Sequence, residues 1–282
     1  MSVVGVLDLF RGRPRGTVGD GARMSLGDHL RELRARIMRI ALYLVLGTVV
    51  AFFFWHQLFE LIFRPYNEAR QMLGGSVTTR AVITGAGGAL MLQLKLCALA
   101  AVVGTSPLWL MEIWGFVVPG LHPKERRWTR VFAGVAGPLF LVGVGVGYYV
   151  LPKGLQVLIS FTPAHVENLI EFGDYFTFMT RMLLVFGIAF EIPLFVVLLN
   201  LAGVVSGRTL GKYRPWIIVL TFVFAAVATP STDPFSMLML AIPMTLLLMM
   251  SEGIARLVDR RRTRARTARA VAGWADDEAS PL

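Results

Sequence analysis

Residues 175–200 read YFTFMTRMLLVFGIAFEIPLFVVLLN, and this stretch decides the fold. Arg181 and Glu191 are its only ionisable acid or base groups, in a run otherwise dominated by Phe, Leu, Ile, Val and Met. About 20 apolar residues, each adding about 1.5 Å along a helix, suffice to cross a hydrocarbon layer about 30 Å thick. An ionised acid at the centre of such a helix costs on the order of 2.5–3.5 kcal/mol even on the mildest insertion scale. Glu191 must therefore face protein or a wet cavity. Both a structural hydrogen bond and a functional role are open to it. Pro193 frees a backbone carbonyl nearby. Arg181 lies ten residues before Glu191, about 15 Å along a helix, too far to pair with it.

Five further apolar segments flank this one, at about 40–59, 89–118, 131–151, 215–229 and 235–251. The first and third carry no Lys, Arg, Asp or Glu, and the second carries Lys95 and Glu112. The last two are short for a crossing, so a buried or re-entrant placement stays open for them; as crossings they would thin the bilayer beside them. Hydrophobic residues make up 55% of the chain and charged ones only 16%, against about 25% charged in an average soluble domain. The fold class expected is all-α: a polytopic membrane protein with six transmembrane helices. The connections at 60–88 and 152–174 are long enough for short surface helices or caps.

Charge placement gives the orientation. With six spans, the segment through Arg39, the loops around Lys124 and Lys212, and the chain from Arg256 onward share one side. They carry 22 of the 28 Lys and Arg, whereas the opposite side carries four, Arg64, Arg70, Arg80 and Lys153. Such a split places both termini in the cytoplasm. It also accounts for the net charge of +10 without nucleic acid, for which no basic motif or finger spacing argues. The opening MSVVGVLDLF precedes its arginines, the reverse of a secretory signal. The chain divides into a basic cytoplasmic segment 1–25, a six-span domain 26–253, and a charged cytoplasmic tail 254–282. That tail is read as disordered or weakly attached to anionic lipid.

No catalytic chemistry is expected. The four histidines are scattered without metal-ligand spacing, and no glycine-rich phosphate loop is present, so neither metal nor cofactor is expected. Cys97 reads as a small packing residue. Gly134, Gly137, Gly143, Gly145 and Gly147 suit close helix contact. Lys95 reads as a side chain that snorkels to the outer interface.

Four other acids are of interest. Glu32 stands four residues before Arg36, a spacing worth about 0.2–0.5 kcal/mol as a surface helix pair. It could equally be a carboxylate poised at the inner interface for a cationic ligand. Glu125, in the turn PGLHPKERRW, is either a solvated acid balanced by Arg126 and Arg127 or a second guanidinium acceptor. Glu112 reads as solvated near the inner end of its span. Asp233, followed by Pro234, fits a helix N-cap in the outer turn.

These positions also carry a resemblance. HLRELRARI at 29–37, SPLWLMEIWGFVVPGLHPKERR at 106–127, FGIAFEIPLFVVLL at 186–199 and ATPSTDPFSMLMLAIPM at 228–244 resemble the TatC family, in the same order. The resemblance spans roughly residues 26–252. It implies a glove-shaped helical receptor in the cytoplasmic membrane, with short fifth and sixth helices. Such a receptor binds twin-arginine signal peptides of folded proteins and nucleates a translocon that uses the proton-motive force. TatA-type and TatB-type single-span subunits are the implied partners, with self-association possible. By motif, Glu32, Arg34, Phe116 and Glu125 correspond to the signal-peptide site, Glu191 to an intramembrane polar contact for a partner, and Asp233 to an outer-turn functional residue. Glu112 stands where many members have glutamine, Met237 replaces another glutamine, and TPSTD is one residue longer than the usual TPPD. The rival reading is a secondary transporter using Glu191 as a proton or cation site, although no internal repeat supports it.

Overall fold

The computed structural model describes residues 26–73, 79–121, 126–163, 167–229 and 234–272. The elements run α1 (Leu26–Phe53), α2 (Trp55–Met72), β1 (Thr79–Val82), α3 (Gly88–Gly104), α4 (Ser106–Leu121), α5 (Arg126–Ser160), β2 (Asn168–Glu171), α6 (Phe172–Leu201), α7 (Gly207–Lys212), α8 (Arg214–Ala228) and α9 (Pro234–Ala272). Among the described residues, four helices are long and apolar enough to cross a membrane, and a fifth crossing results if the bent pair α3 and α4 counts as one. α8 is apolar but only 15 residues long. Just 6% of the apolar window of α1 is buried. Leu42, Val45, Leu46, Val49 and Val50 all point outward from it. In water such a face would be a large exposed apolar patch; against lipid it has no such cost.

The core is an α5·α6 pair with α4, α9 and α2 packed around it. Glycine allows the close approach. A Cβ on Gly143 would stand 2.6 Å from the Phe186 carbonyl oxygen, and one on Gly187 would stand 2.6 Å from the Phe140 ring. Phe140 and Phe186 thus each fill the gap left by a glycine on the facing helix. Gly137 makes a similar approach to Pro107, and Gly147 to Phe186. Gly134 and Gly145 approach nothing, so only part of the expected glycine seam is used.

The second apolar segment departs from the expected continuous span. α3 and α4 meet at an angle of 57°. The cause is local: Pro107 has no N–H to continue the ladder. At the bend Trp109 Nε1 donates to the Val102 carbonyl at 2.8 Å, and Thr105 Oγ1 donates to the Ala101 carbonyl at 2.7 Å. α2 repeats the device. Pro65 leaves the Leu61 carbonyl without its helical donor, and Tyr148 of α5 donates its hydroxyl to that oxygen at 2.8 Å. Tyr175 of α6 donates to the adjacent Ile62 carbonyl at 2.6 Å. Stacked and tilted contacts among Trp55, Phe59, Phe63, Tyr66, Phe172 and Tyr175 then fix α2 against the start of α6.

The fold is helical, with one exception to the all-α expectation. β1 and β2 pair in parallel, from Thr79 opposite Asn168 to Val82 opposite Glu171, and join the α2–α3 and α5–α6 connections. The second difference lies at the C-terminal end. The basic stretch from residue 254, expected to be disordered or weakly attached to anionic lipid, is helical to Ala272. Ala and Arg are among the best helix formers, and the Arg256–Glu252 pair at 2.6 Å spans one turn. The N-terminal segment 1–25 and residues 273–282 lie outside the described residues.

Substituting Gly143→Leu is expected to destabilise the protein by about 1–3 kcal/mol through overpacking at the Phe186 carbonyl. Gly145→Leu, a position with open space, should leave stability nearly unchanged. Thermal unfolding of the purified protein in one detergent compares the two.

Candidate functional site

The N-terminal part of α1 meets α4 chiefly through the Arg36 guanidinium. Arg36 donates from Nη2 and Nε to Glu32 Oε1 at 2.7 and 3.0 Å. Its Nη1 donates to Glu112 Oε2 and to the Glu112 carbonyl, both at 3.1 Å, and Nη2 also reaches the Gly115 carbonyl at 3.0 Å. Arg39, one turn further along α1, adds an ion pair to Glu112 Oε2 at 3.1 Å. Gly115 is required here, because a Cβ would lie 2.6 Å from Arg36 Nη1. Glu112 is the more enclosed acid, with 12% of its side chain exposed, against 24% for Glu32. Two cations meet at this enclosed carboxylate, which accounts for an acid at this position. The expectation that Glu112 is simply solvated is therefore replaced by a cross-helix ion pair.

Phe116 belongs to the same patch. Its ring stacks on His29 at 4.5 Å between centroids, and His29 lies three residues before Glu32 on α1. Of the candidate peptide-site residues, the fold thus brings Glu32 and Phe116 together, with Arg34 exposed on the same helix. Glu125 lies outside the described residues, as does Asp233.

Glu191 sits apart from this patch, but α4 links the two. Trp114 Nε1, two residues past Glu112, donates to Glu191 Oε2 at 3.1 Å. Glu191 Oε1 is enclosed and has no hydrogen-bond partner among the described residues. Tilted contacts with Phe132 and Phe195 hold the Trp114 ring. The structural hydrogen bond allowed for Glu191 is present, and one oxygen remains over.

A polar cluster that the sequence reading did not single out joins α6, α8 and α9. Arg214 donates from Nε and Nη2 to the two oxygens of Glu252 at 2.9 and 2.8 Å. Asp259 accepts from the Asn200 amide at 3.1 Å and from the Gly207 N–H at 2.7 Å. Arg262 donates to the Asn200 and Leu201 carbonyls at the end of α6. The i,i+4 spacing of Glu252 and Arg256 was the one sequence signal for this cluster; the partners on α6 and α8 are remote in the chain.

The family model for Sec-independent protein translocase protein (TatC) matches residues 28–243. The chain belongs to the TatC family. TatC proteins of Frankia casuarinae and Corynebacterium kroppenstedtii are 41% and 38% identical to it, over 94% and 92% of this chain and 74% and 67% of theirs. The TatC protein of Xylanimonas cellulosilytica is 39% identical over 90% of this chain and 91% of its own. Two crystal structures described as the twin arginine translocase receptor TatC superpose with TM-scores of 0.62 and 0.65. Both are 28% identical, covering 81% and 80% of this chain and 98% and 99% of those chains. Membership of the TatC family and the apolar helices together make this a multi-pass membrane protein of a protein translocase.

Replacing Glu112 by alanine should cost about 2 kcal/mol, because Arg36 and Arg39 then lose their shared enclosed acceptor. Glu112→Gln should cost about half as much, since the amide oxygen still accepts from Arg36. Unfolding midpoints for both variants, with an Arg39→Gln partner to complete a double-mutant cycle, test the coupling.

Proposed function

We propose that this TatC-family protein is the receptor for twin-arginine signal peptides, with six spans and both termini in the cytoplasm. The observation that carries this reading is the patch where α1 meets α4. Glu32 is held at a half-exposed rim by Arg36, beside the His29–Phe116 stack. An acid in such a place offers an arriving guanidinium a charge-assisted, fork-shaped contact, and the aromatic ring offers a face for the apolar or cationic groups that follow. Glu125 enters by its motif as the second acid. The lopsided distribution of Lys and Arg supports a cytoplasmic position for the patch.

Arg36 has a role in this reading. It already occupies Glu32 Oε1, so a peptide arginine must either share the carboxylate or displace Arg36 toward Glu112. Glu112 would then hold Arg36 in reserve. TatA-type or TatB-type single-span helices would dock along α8, too short to cover a full bilayer by itself. An apolar groove of about 450 Å³ lies there, walled by Ile217, Leu220, Phe224 and Leu248 among others. Glu191, with its spare oxygen, is the intramembrane polar contact, and Asp233 the outer-turn functional residue.

Glu32→Ala is expected to weaken binding of a twin-arginine peptide to the full protein in nanodiscs by about tenfold, the value of one charge-assisted contact. A twin-lysine peptide should lose a similar factor on the unmodified protein, because lysine lacks the fork. Equal binding of both peptides to both proteins would overturn the assignment. Solute uptake by the protein alone in liposomes, abolished by Glu191→Gln, would favour a transporter instead.

A further inference from the structure

The C-terminal half of the molecule holds a cavity of about 970 Å³ between α7 and the far part of α9. Six cationic side chains line it, Arg208, Lys212, Arg256, Arg260, Arg262 and Arg264, against one acid, Asp259. That acid is already committed, as both its oxygens accept from Asn200 and Gly207. Arg256 is paired with Glu252, and Arg262 is turned to the carbonyls that end α6. The remaining four cations have no ion-pair partner among the described residues.

The spacing is regular. Arg256, Arg260 and Arg264 follow one another at i, i+4 and i+8 on α9, and Arg208 and Lys212 stand at i and i+4 on α7. Like charges so spaced repel on each helix, and here two such rows face one space. An anion with several oxygens inside that space would relieve both rows. Guanidinium forks match the oxygens of phosphate in particular.

The surroundings favour a lipid as the source of that phosphate. α8 begins two residues after Lys212, and its surface at once becomes apolar and exposed, with Trp216 72% and Leu220 67% exposed. On α9, Met250, Ile254 and Leu257 are exposed on the approach to the arginine row. Tyr213, under Lys212 Nζ, and Trp216 are exposed where α8 begins beside the cations, as aromatic residues are at a membrane boundary. A headgroup in the cavity would therefore leave its acyl chains along α8 and α9. We propose that this cavity binds the phosphate headgroup of an anionic phospholipid and seats the α7–α9 corner on the membrane surface. The inference rests on the membrane architecture and not on the peptide reading.

The test uses the full protein purified in a mild detergent and titrated with phosphatidylglycerol or phosphatidylcholine, with bound lipid counted by native mass spectrometry. Phosphatidylglycerol should bind at least about tenfold more tightly than phosphatidylcholine. Replacing Arg208, Lys212, Arg260 and Arg264 together by glutamine should remove that preference. Replacing Arg11, Arg13, Arg15 and Arg23 by glutamine changes the net charge equally and should leave it intact. Should the first variant fold poorly, Arg260→Gln with Arg264→Gln decides, with an expected loss of about threefold or more. Equal affinity for the two lipids, or equal losses in the two charge-matched variants, would overturn the proposal. Displacement of the lipid by millimolar inorganic phosphate would assign the cavity to a free anion instead.

Discussion

The guanidinium groups of Arg36 and Arg39 tie the first helix to the rest of the molecule. Little of α1 is fully buried, and apolar surface turned to lipid provides no pull toward the bundle. Polar contacts and close backbone approach must hold it. Arg36 supplies the first by touching two carboxylates and two carbonyls at once. Gly47 supplies the second further along, where a Cβ would stand 2.8 Å from Thr105, at the bend between α3 and α4. The position of Glu32, and with it any recognition at that end, depends on the Arg36 contacts.

Prolines within or between helices are the second organising feature, and aromatic side chains meet backbone carbonyls beside two of them. A carbonyl left by proline in an apolar setting would cost about as much as a lost hydrogen bond. Tyr148 provides the donor missing at Pro65, and Trp109 donates to the Val102 carbonyl beside the Pro107 bend. Tyr175 makes a comparable bond one residue further along α2, and all three are aromatic residues whose rings also pack into the core. The same side chains thus meet the polar demand of the breaks and the packing demand of the bundle, which lets short helices set at angles replace straight spans.

Much of this could be read from the chain, and the failures have physical causes. The long apolar runs, the glycine approaches at Gly137, Gly143 and Gly147, and the Glu32–Arg36 turn all follow from spacing, which is a local property. Glu112 was misread because its partners lie 76 residues or so away, and nothing in the sequence states that α1 crosses α4. The Trp114–Glu191 bond and the Asn200–Asp259 staple were hidden for the same reason. The bend at Thr105 was available in the Ser106–Pro107 pair but was outweighed by the hydropathy on both sides. The helical C-terminal end follows from propensity more than from charge, since Ala and Arg together form a helix well. The strand pair joins two remote connections, and so leaves only weak local traces.

The length of α9 has a mechanical consequence. Its 39 residues form a rod of about 58 Å, roughly twice the thickness of a hydrocarbon layer. Its middle is clasped by Arg214 at Glu252 and by Asn200 at Asp259. Those clasps act as a fulcrum. A small change of tilt in the apolar arm swings the arginine-bearing arm the opposite way, so motion among the packed helices is carried to the far end of the same rod.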